Sequence, residues 1–359
     1  MKIISTSHYE IEMGSLSEST LNDFLLNNYS DSKKIILVDE NTRNYCLDYL
    51  ITEFDTLFEA EVIVLPVGEE NKVLSIASSV WEALTEYGIT RYDLIINLGG
   101  GLVTDMGGFI ASCYKRGVSF INIPTTLLGM VDASIGGKTG LNLGHYKNQI
   151  GVFSNPKVLY IDISFLETLP IEEIVSGFAE MLKHGLIADE SLFIEIVSEM
   201  TNMGELSEDL LLRCIEIKHE IVKEDPLEKG SRKMLNFGHT IGHVIEGHFI
   251  EDEQYTHGYC VAIGMIMESY LSMKFGRLSN EDYLIVSESL QKFYSIPSFT
   301  DEDIHVMIKL LTNDKKNQKG KIMCCFLEEL GDCSYDNPVS EKEFLDVFFH
   351  FKNLKLSLN

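Results

Sequence analysis

The stretch Asn236-Phe-Gly-His239-Thr-Ile-Gly-His243 sets two histidines four residues apart, on one face of a helical pattern, and His257 follows just before another helix. Glu180 lies in the helical run 171–186, with Lys183 one turn later. Two or three imidazoles and a carboxylate, with an open position, make up a catalytic Zn²⁺ site. Core or capping histidines give the same spacing, so both readings stand at this level. A glycine precedes each of His239 and His243, which lets a neighbour approach the helix closely. Arg232 and Asn236 share the face of the two histidines. With Lys218 and Glu228 they read either as a grip on a substrate or as a solvated helix face.

A second constellation is Leu94-Ile-Ile-Asn-Leu-Gly-Gly-Gly-Leu-Val-Thr-Asp105, a buried strand running through three glycines into a helix. Glycines admit a ligand to the backbone, and a helix N-terminus offers N–H groups and a positive dipole end, so this is a pyrophosphate seat or a tight turn. It departs from the G-x-G-x-x-G fingerprint of ordinary dinucleotide folds. Asp39, at the end of the first strand of the pattern, is placed to hold a ribose hydroxyl or to stand as a solvated acid. From Lys115 to Lys157 the basic residues Lys115, Arg116, Lys138, Lys147 and Lys157 face a single acid, Asp132, a local +4 in a chain of net charge −26. Lys138 and Lys147 read as members of a Gly-rich loop able to meet an anion, at about 1.5–3 kcal/mol per charge-assisted bond. That suits a small molecule carrying a phosphate and a carboxylate; a basic surface loop is the alternative.

The elements that must position these residues follow from periodicity. Ile35–Val38, Val62–Leu65, Leu94–Leu98, Phe120–Ile123 and Val158–Ile161 are short apolar runs, as expected of a parallel sheet covered on both faces. Helical patterns at about 45–54, 74–87 and 103–114 alternate with them, which predicts an open α/β sheet. The segment from Pro124 to Pro156 shows no clean helix and holds six glycines between Gly129 and Gly151, so it reads as a long functional loop. Beyond about Ile163 helical periods dominate, at 171–186, 192–200, 208–223, 235–249, 260–274, 280–293, 302–311 and 341–351, with one strand at 321–327. The expected organisation is an α/β domain over 1–163 with a mostly parallel sheet and an all-helical domain over 164–359, closely packed around a cleft.

Composition narrows the function. A chain of 359 residues with 45% hydrophobic and 23% charged content buries sizeable cores, and is neither disordered nor a coiled coil. With 29 basic against 55 acidic residues it is repelled by nucleic acid and by anionic lipid, so neither is an expected partner. The absence of an 18-residue apolar run and of a signal-like start, and seven cysteines without a Cys-x-x-Cys pair, predict a cytoplasmic protein with reduced thiols.

Taken together, Asn97-Leu-Gly-Gly-Gly-Leu-Val-Thr-Asp-Met-Gly-Gly-Phe109, Arg116-Gly-Val, Pro124-Thr-Thr-Leu-Leu128, Val131-Asp-Ala-Ser-Ile-Gly-Gly-Lys-Thr-Gly140, Lys147-Asn148, Ala179-Glu-Met-Leu-Lys183 and Leu235-Asn-Phe-Gly-His-Thr-Ile-Gly-His243 resemble the 3-dehydroquinate synthase family, in the same order along nearly the whole chain. The resemblance implies that fold and a lyase of the shikimate pathway. The family converts 3-deoxy-D-arabino-heptulosonate 7-phosphate into 3-dehydroquinate and phosphate, with catalytic NAD and a divalent metal, Zn²⁺ or Co²⁺. It implies Glu180, His239 and His257 as metal ligands, and Glu228, His243, Lys138, Arg232 and Asn236 as catalytic residues. It implies substrate contacts from Arg116, Lys138, Lys147, Asn148, Lys183, Lys218, Arg232, Asn236 and Lys316, the last favoured over Lys315. For NAD it implies Asp39, Asn41, Glu69, Lys72, Gly100, Gly101, Leu102, Val103, Asp105, Thr125, Thr126, Asp132, Lys147 and Thr168. It also implies a homodimer. Three positions depart from the family pattern: His257-Gly-Tyr259 where His-Gly-Glu is usual, Asp225-Pro226 where Asp-Glu is usual, and Tyr146-Lys147-Asn148 where Gly-Lys-Asn is common. Tyr259 removes a carboxylate that would otherwise stand next to the third ligand. Sugar-phosphate cyclases making 2-deoxy-scyllo-inosose or valiolone-type rings, and metal- and NAD-dependent polyol dehydrogenases, are the competing readings. Gly136-Gly-Lys-Thr139 resembles the dehydroquinate branch.

Overall fold

The computed structural model describes residues 1–144, 146–202, 206–249, 255–312 and 321–358. They form two compact units, Met1–Ile174 and Val175–Asn359. The strands of the first unit are β1 (Lys2–Ser5), β2 (Glu10–Met13), β3 (Lys34–Asp39), β4 (Glu61–Leu65), β5 (Leu94–Gly99), β6 (Ser119–Pro124), β7 (Lys138–Leu143), β8 (Tyr146–Phe153) and β9 (Val158–Ile161). Its helices are α1 (Leu21–Tyr29), α2 (Glu40–Tyr45), α3 (Leu47–Glu53), α4 (Leu74–Glu86) and α5 (Gly101–Cys113).

Seven strands build one sheet in the order β1-β2-β9-β6-β5-β3-β4, parallel throughout except for β1 against β2. All five strands read from apolar runs are present. Every residue of β5 is buried, because helices cover both faces and neither face can carry a polar stripe. On one face Ile35, Leu37 and Ile95 pack with Val103, Met106 and Ile110 of α5. The chain leaves β3 toward β4 on one side and resumes at β5 on the other. The carboxyl ends of β3 and β5 therefore flank a topological switch point, where open α/β sheets bind ligands.

Two features depart from the sequence expectation. The first is the pair β1–β2, in which β2 carries acids at Glu10 and Glu12. Glu12 is nonetheless buried, because its carboxylate accepts from the Thr20 backbone N–H at 2.9 Å and from the Thr20 hydroxyl. The second is the segment 124–156. It is not one long loop: a single π-helical turn (Gly129–Ala133) leads into the antiparallel hairpin β7–β8. Lys138 opens β7 and Lys147 lies in β8. Gly140 stands opposite Gly151, and a Cβ on Gly140 would sit 2.7 Å from the Ile150 carbonyl oxygen. The glycines there admit the partner strand rather than a mobile loop.

The second unit holds α6 (Ile171–Ala188, which begins in the first unit), α7 (Glu190–Asn202), α8 (Glu208–Glu224), α9 (His239–His248), α10 (His257–Lys274), α11 (Asn280–Gln291), α12 (Asp301–Thr312) and α13 (Glu341–Leu358). It is not purely helical: β10 (Ile322–Glu329) and β11 (Asp332–Val339) form a bulged antiparallel ladder. The helical period read over 235–249 is broken in the structure. A 3₁₀ turn, Ser231–Asn236, ends before Gly238, whose φ of +80° is the left-handed region open to glycine, and α9 starts afresh at His239. No described helix is long and apolar enough to cross a membrane.

Candidate active site

The candidate metal donors include the first residues of two helices. His239 opens α9 and His257 opens α10. Glu180, fully buried on α6, directs Oε1 at both: His239 Nε2 lies 3.5 Å away and His257 Nε2 3.6 Å. Its other oxygen, Oε2, pairs with the buried ammonium of Lys183 one turn on. His243, one turn beyond His239, brings its ring centroid to 5.2 Å from that of His239 and 5.6 Å from that of His257. His239, His243 and His257 each offer a ligand atom within 4.8 Å of the others. Burial alone would hold the His257 pKa down, yet Glu246 and Glu180 outweigh it and push it up to about 10. The donor set, imidazole nitrogens converging with a carboxylate oxygen, fits Zn²⁺ or Co²⁺.

The glycines before the histidines serve packing. A Cβ on Gly238 would meet the Val261 carbonyl oxygen at 2.8 Å, and one on Gly242 the Cys260 carbonyl oxygen at 3.0 Å, so the close neighbour of α9 is α10 rather than a ligand. Nothing in the spacing distinguished these two occupants.

The polar residues ahead of α9 form a tight turn. The Asp225 carboxylate accepts from the backbone N–H groups of Lys229 (3.0 Å), Gly230 (2.6 Å) and Arg232 (3.2 Å). Within it Glu228 has a φ of +57°, which costs a non-glycine residue on the order of 1 kcal/mol or more. Asn236 Nδ2 donates to Glu228 Oε1 at 2.7 Å. Arg232, only 1% exposed, donates through Nη1 to the Pro226 carbonyl at 2.7 Å, so proline at this position keeps the one group the contact uses. Lys218 is buried on α8. Lys316 lies outside the described residues.

In the first unit Asp39 and Gly100 stand at the carboxyl ends of β3 and β5, at the switch point. Gly100 is the N-cap of α5, and no side chain caps that helix, so its first-turn N–H groups face outward from the carboxyl end of β5. A Cβ on Gly100 would sit 2.9 Å from Thr126 Cγ2. This helix end, which its N-cap glycine leaves uncapped beside a strand terminus, fits a pyrophosphate. Leu102, Val103 and Asp105 lie in the first turns of α5. Lys72, buried, donates to Asp105 Oδ2 at 2.6 Å and to Asn148 Oδ1 at 2.8 Å. Asn142 Nδ2 donates to Glu69 Oε1 at 2.9 Å and Lys147 Nζ lies 4.0 Å from the same oxygen, so the hairpin is tied to the turn at 69–71. Asp39 caps α2 by accepting from the Thr42 backbone N–H at 2.7 Å, with Asn41 exposed beside it. Thr125 is buried, Thr126 accepts from the Gly129 N–H at 3.0 Å, Asp132 lies in the π-helical turn, and Thr168 closes a 3₁₀ turn. Arg116 is exposed after α5 with a φ of +67°.

Two buried acids were missed by reading the sequence. Glu246 Oε2 lies 3.3 Å from His257 Nδ1, and Glu268 accepts from the backbone N–H groups of Gly238 and Ile241. Glu246 had a signal, because His239, His243 and Glu246 follow the i, i+4, i+7 stripe of one helix face. Glu268 had none, since its partners lie about thirty residues away.

Family models described as 3-dehydroquinate synthase N-terminal and 3-dehydroquinate synthase C-terminal match residues 62–176 and 177–317. The 3-dehydroquinate synthase of Parabacteroides distasonis is 39% identical over 92% of this chain and 94% of its own. A solved structure of 2-epi-5-epi-valiolone synthase from Streptomyces hygroscopicus, with NAD⁺ and Zn²⁺ bound, superposes with a TM-score of 0.84 at 25% identity over 99% of both chains. A 2-deoxy-scyllo-inosose synthase bound to carbaglucose-6-phosphate, NAD⁺ and Co²⁺ shares the fold, with a TM-score of 0.81 at 23% identity over 97% of this chain and 98% of its own.

Proposed function

This chain belongs to the 3-dehydroquinate synthase family, and from that premise we propose that it converts 3-deoxy-D-arabino-heptulosonate 7-phosphate into 3-dehydroquinate and phosphate, using NAD and Zn²⁺ or Co²⁺. The observation that carries the reading is the convergence of His239 and His257 on the buried carboxylate of Glu180. The dehydroquinate branch is favoured over the valiolone and inosose branches by identity, 39% against 25% and 23%.

Glu180, His239 and His257 would hold the metal, and Gly100 to Val103 with Asp39, Lys72 and Asp105 would hold NAD. When bound, NAD supplies a reversible hydride acceptor and the metal a Lewis acid for substrate oxygens. The chain's own part is binding, orientation and proton movement. Arg116, Lys138, Lys147, Lys183, Lys218, Arg232 and Lys316 supply cations for a substrate bearing a phosphate and a carboxylate, in a chain whose net charge is −26. Asn148 adds a polar contact. Asn236 orients the Glu228 carboxylate by donating to Oε1, and Glu228 and the imidazole of His243 are the groups that would move protons.

Because the substrate is oxidised and then reduced, phosphate release should far exceed the NAD supplied, with no lasting NADH absorbance. Stoichiometric NADH would overturn the cyclase reading in favour of a polyol dehydrogenase. For the anion contacts, Lys147→Ala should lower kcat/KM by roughly tenfold or more, the loss of one charge-assisted contact. Kinetics equal to wild type would make Lys147 a hairpin surface residue. A cytoplasmic homodimer without nucleic-acid or membrane partners completes the reading. The acidity of the chain supports the last part, and sedimentation tests the dimer.

A further inference from the structure

We propose that Glu246 is the positioning carboxylate of the metal centre: it accepts a hydrogen bond from Nδ1–H of His257 and so leaves Nε2 to face the point that it shares with His239 and Glu180. An imidazole that binds a metal is neutral, with one N–H and one lone pair, and the nitrogen turned away from the metal keeps its proton where it finds an acceptor. His257 Nδ1 lies 3.3 Å from Glu246 Oε2 while its Nε2 faces Glu180 Oε1 at 3.6 Å. His239 repeats the arrangement: Nδ1 lies 3.2 Å from the Phe237 carbonyl and Nε2 faces the same Glu180 oxygen at 3.5 Å. Each ring is thus anchored at Nδ1 and presents Nε2 to one point. One anchor is a backbone carbonyl, fixed by the fold; the other is a side chain with 8% exposure, which a substitution can remove.

Tyr259 cannot take this part. Its hydroxyl accepts from the Ser295 backbone N–H at 2.7 Å and donates to the Ser295 carbonyl at 3.2 Å. The carboxylate missing from position 259 is therefore matched by one on α9, two turns after His239. The proposal rests on the reading that Glu180, His239 and His257 bind the metal.

The test is Zn²⁺ affinity of the full-length apo protein, by competition with a chromophoric chelator, for wild type, Glu246→Ala and Glu246→Gln. Glu246→Ala should bind Zn²⁺ about 10–100-fold more weakly, the usual cost of losing such a partner. Glu246→Gln, whose amide oxygen still accepts, should fall between the two. In long-range ¹H–¹⁵N spectra of the Zn²⁺-loaded protein, the His257 Nδ1 proton should be retained in wild type and Glu246→Gln, and should exchange faster in Glu246→Ala. Wild-type affinity in Glu246→Ala overturns the proposal. If Glu246→Ala does not fold, wild-type affinity in Glu246→Gln together with an Nδ1 proton lost from its spectrum overturns it. A wild-type protein that binds Zn²⁺ but releases no phosphate counts against the proposed reaction and leaves Glu246 in place. A wild type that binds no Zn²⁺ defeats the metal reading and this proposal with it.

Discussion

His239→Ala and His257→Ala are each expected to lose bound metal and activity together, whereas His243→Ala keeps about one metal per chain and still loses roughly 10²-fold or more in kcat, the size of a general acid–base contribution. The three rings lie close enough for any pair to be ligands, with ligand atoms within 4.8 Å of one another, so proximity alone does not decide. Glu180 does. Its Oε1 is 3.5 Å from His239 Nε2 and 3.6 Å from His257 Nε2, which makes a three-donor set and keeps positions open for substrate oxygens. His243 then stands at the edge of that set with a ring able to carry a proton. Metal analysis after dialysis checks this. A metal-free His243→Ala beside a metal-loaded His257→Ala would make the helix pair the ligand pair.

The second large effect concerns stability. Glu268, fully buried on α10, accepts from the Gly238 N–H at 2.9 Å and from the Ile241 N–H at 3.0 Å. The N-cap of α9 is a glycine with no side chain to offer, so an acid from another helix stands in for the missing cap. Glu268→Ala leaves both amides buried without that acceptor, at about 1–3 kcal/mol each, and opens a void. A loss of about 3–5 kcal/mol should lower Tm by on the order of 10 °C for a unit of this size. Glu268→Gln, with one acceptor oxygen left, should lose less. A Glu268→Ala melting curve superimposable on wild type would show that the cap carries no weight. Since α9 begins with His239, a proposed metal ligand, the same variant should also bind metal less tightly.

What could be read from residues alone was whatever physics acts locally. The five core strands are continuous apolar runs because both faces are covered, and helices such as α4 and α5 carry their own period. The hairpin β7–β8 was hidden because its glycines mimic a loop until the opposing strand is seen. β11 was hidden because Asp332, Asn337 and Pro338 suit a strand only at a bulged edge. At the site, the spacing of His239 and His243 pointed to a shared face. The division of labour between them came from the family resemblance, with Glu180 supplying a geometric reason for it. Glu246 lay one step further along the same stripe. Glu268 belongs to a contact across helices that no spacing rule reaches.

The placement of β2 has a consequence for how the chain is made. Glu10 stands opposite Val158 and Met13 opposite Ile161, so β2 has its parallel neighbour roughly 150 residues later in the chain. On a ribosome adding about 5–20 residues per second, the β1–β2 ribbon waits roughly 7–30 s for β9 to emerge. A two-stranded ribbon is marginal alone, so throughout that interval it stays an open strand edge. Once β9 arrives, the Thr20 hydroxyl, bonded to Glu12, also comes within 3.3 Å of the hydroxyl of Tyr160 on β9. Docking of β2 thus reports that the last strand of the sheet has been made, and a nascent chain stalled before residue 158 leaves β2 without its parallel neighbour.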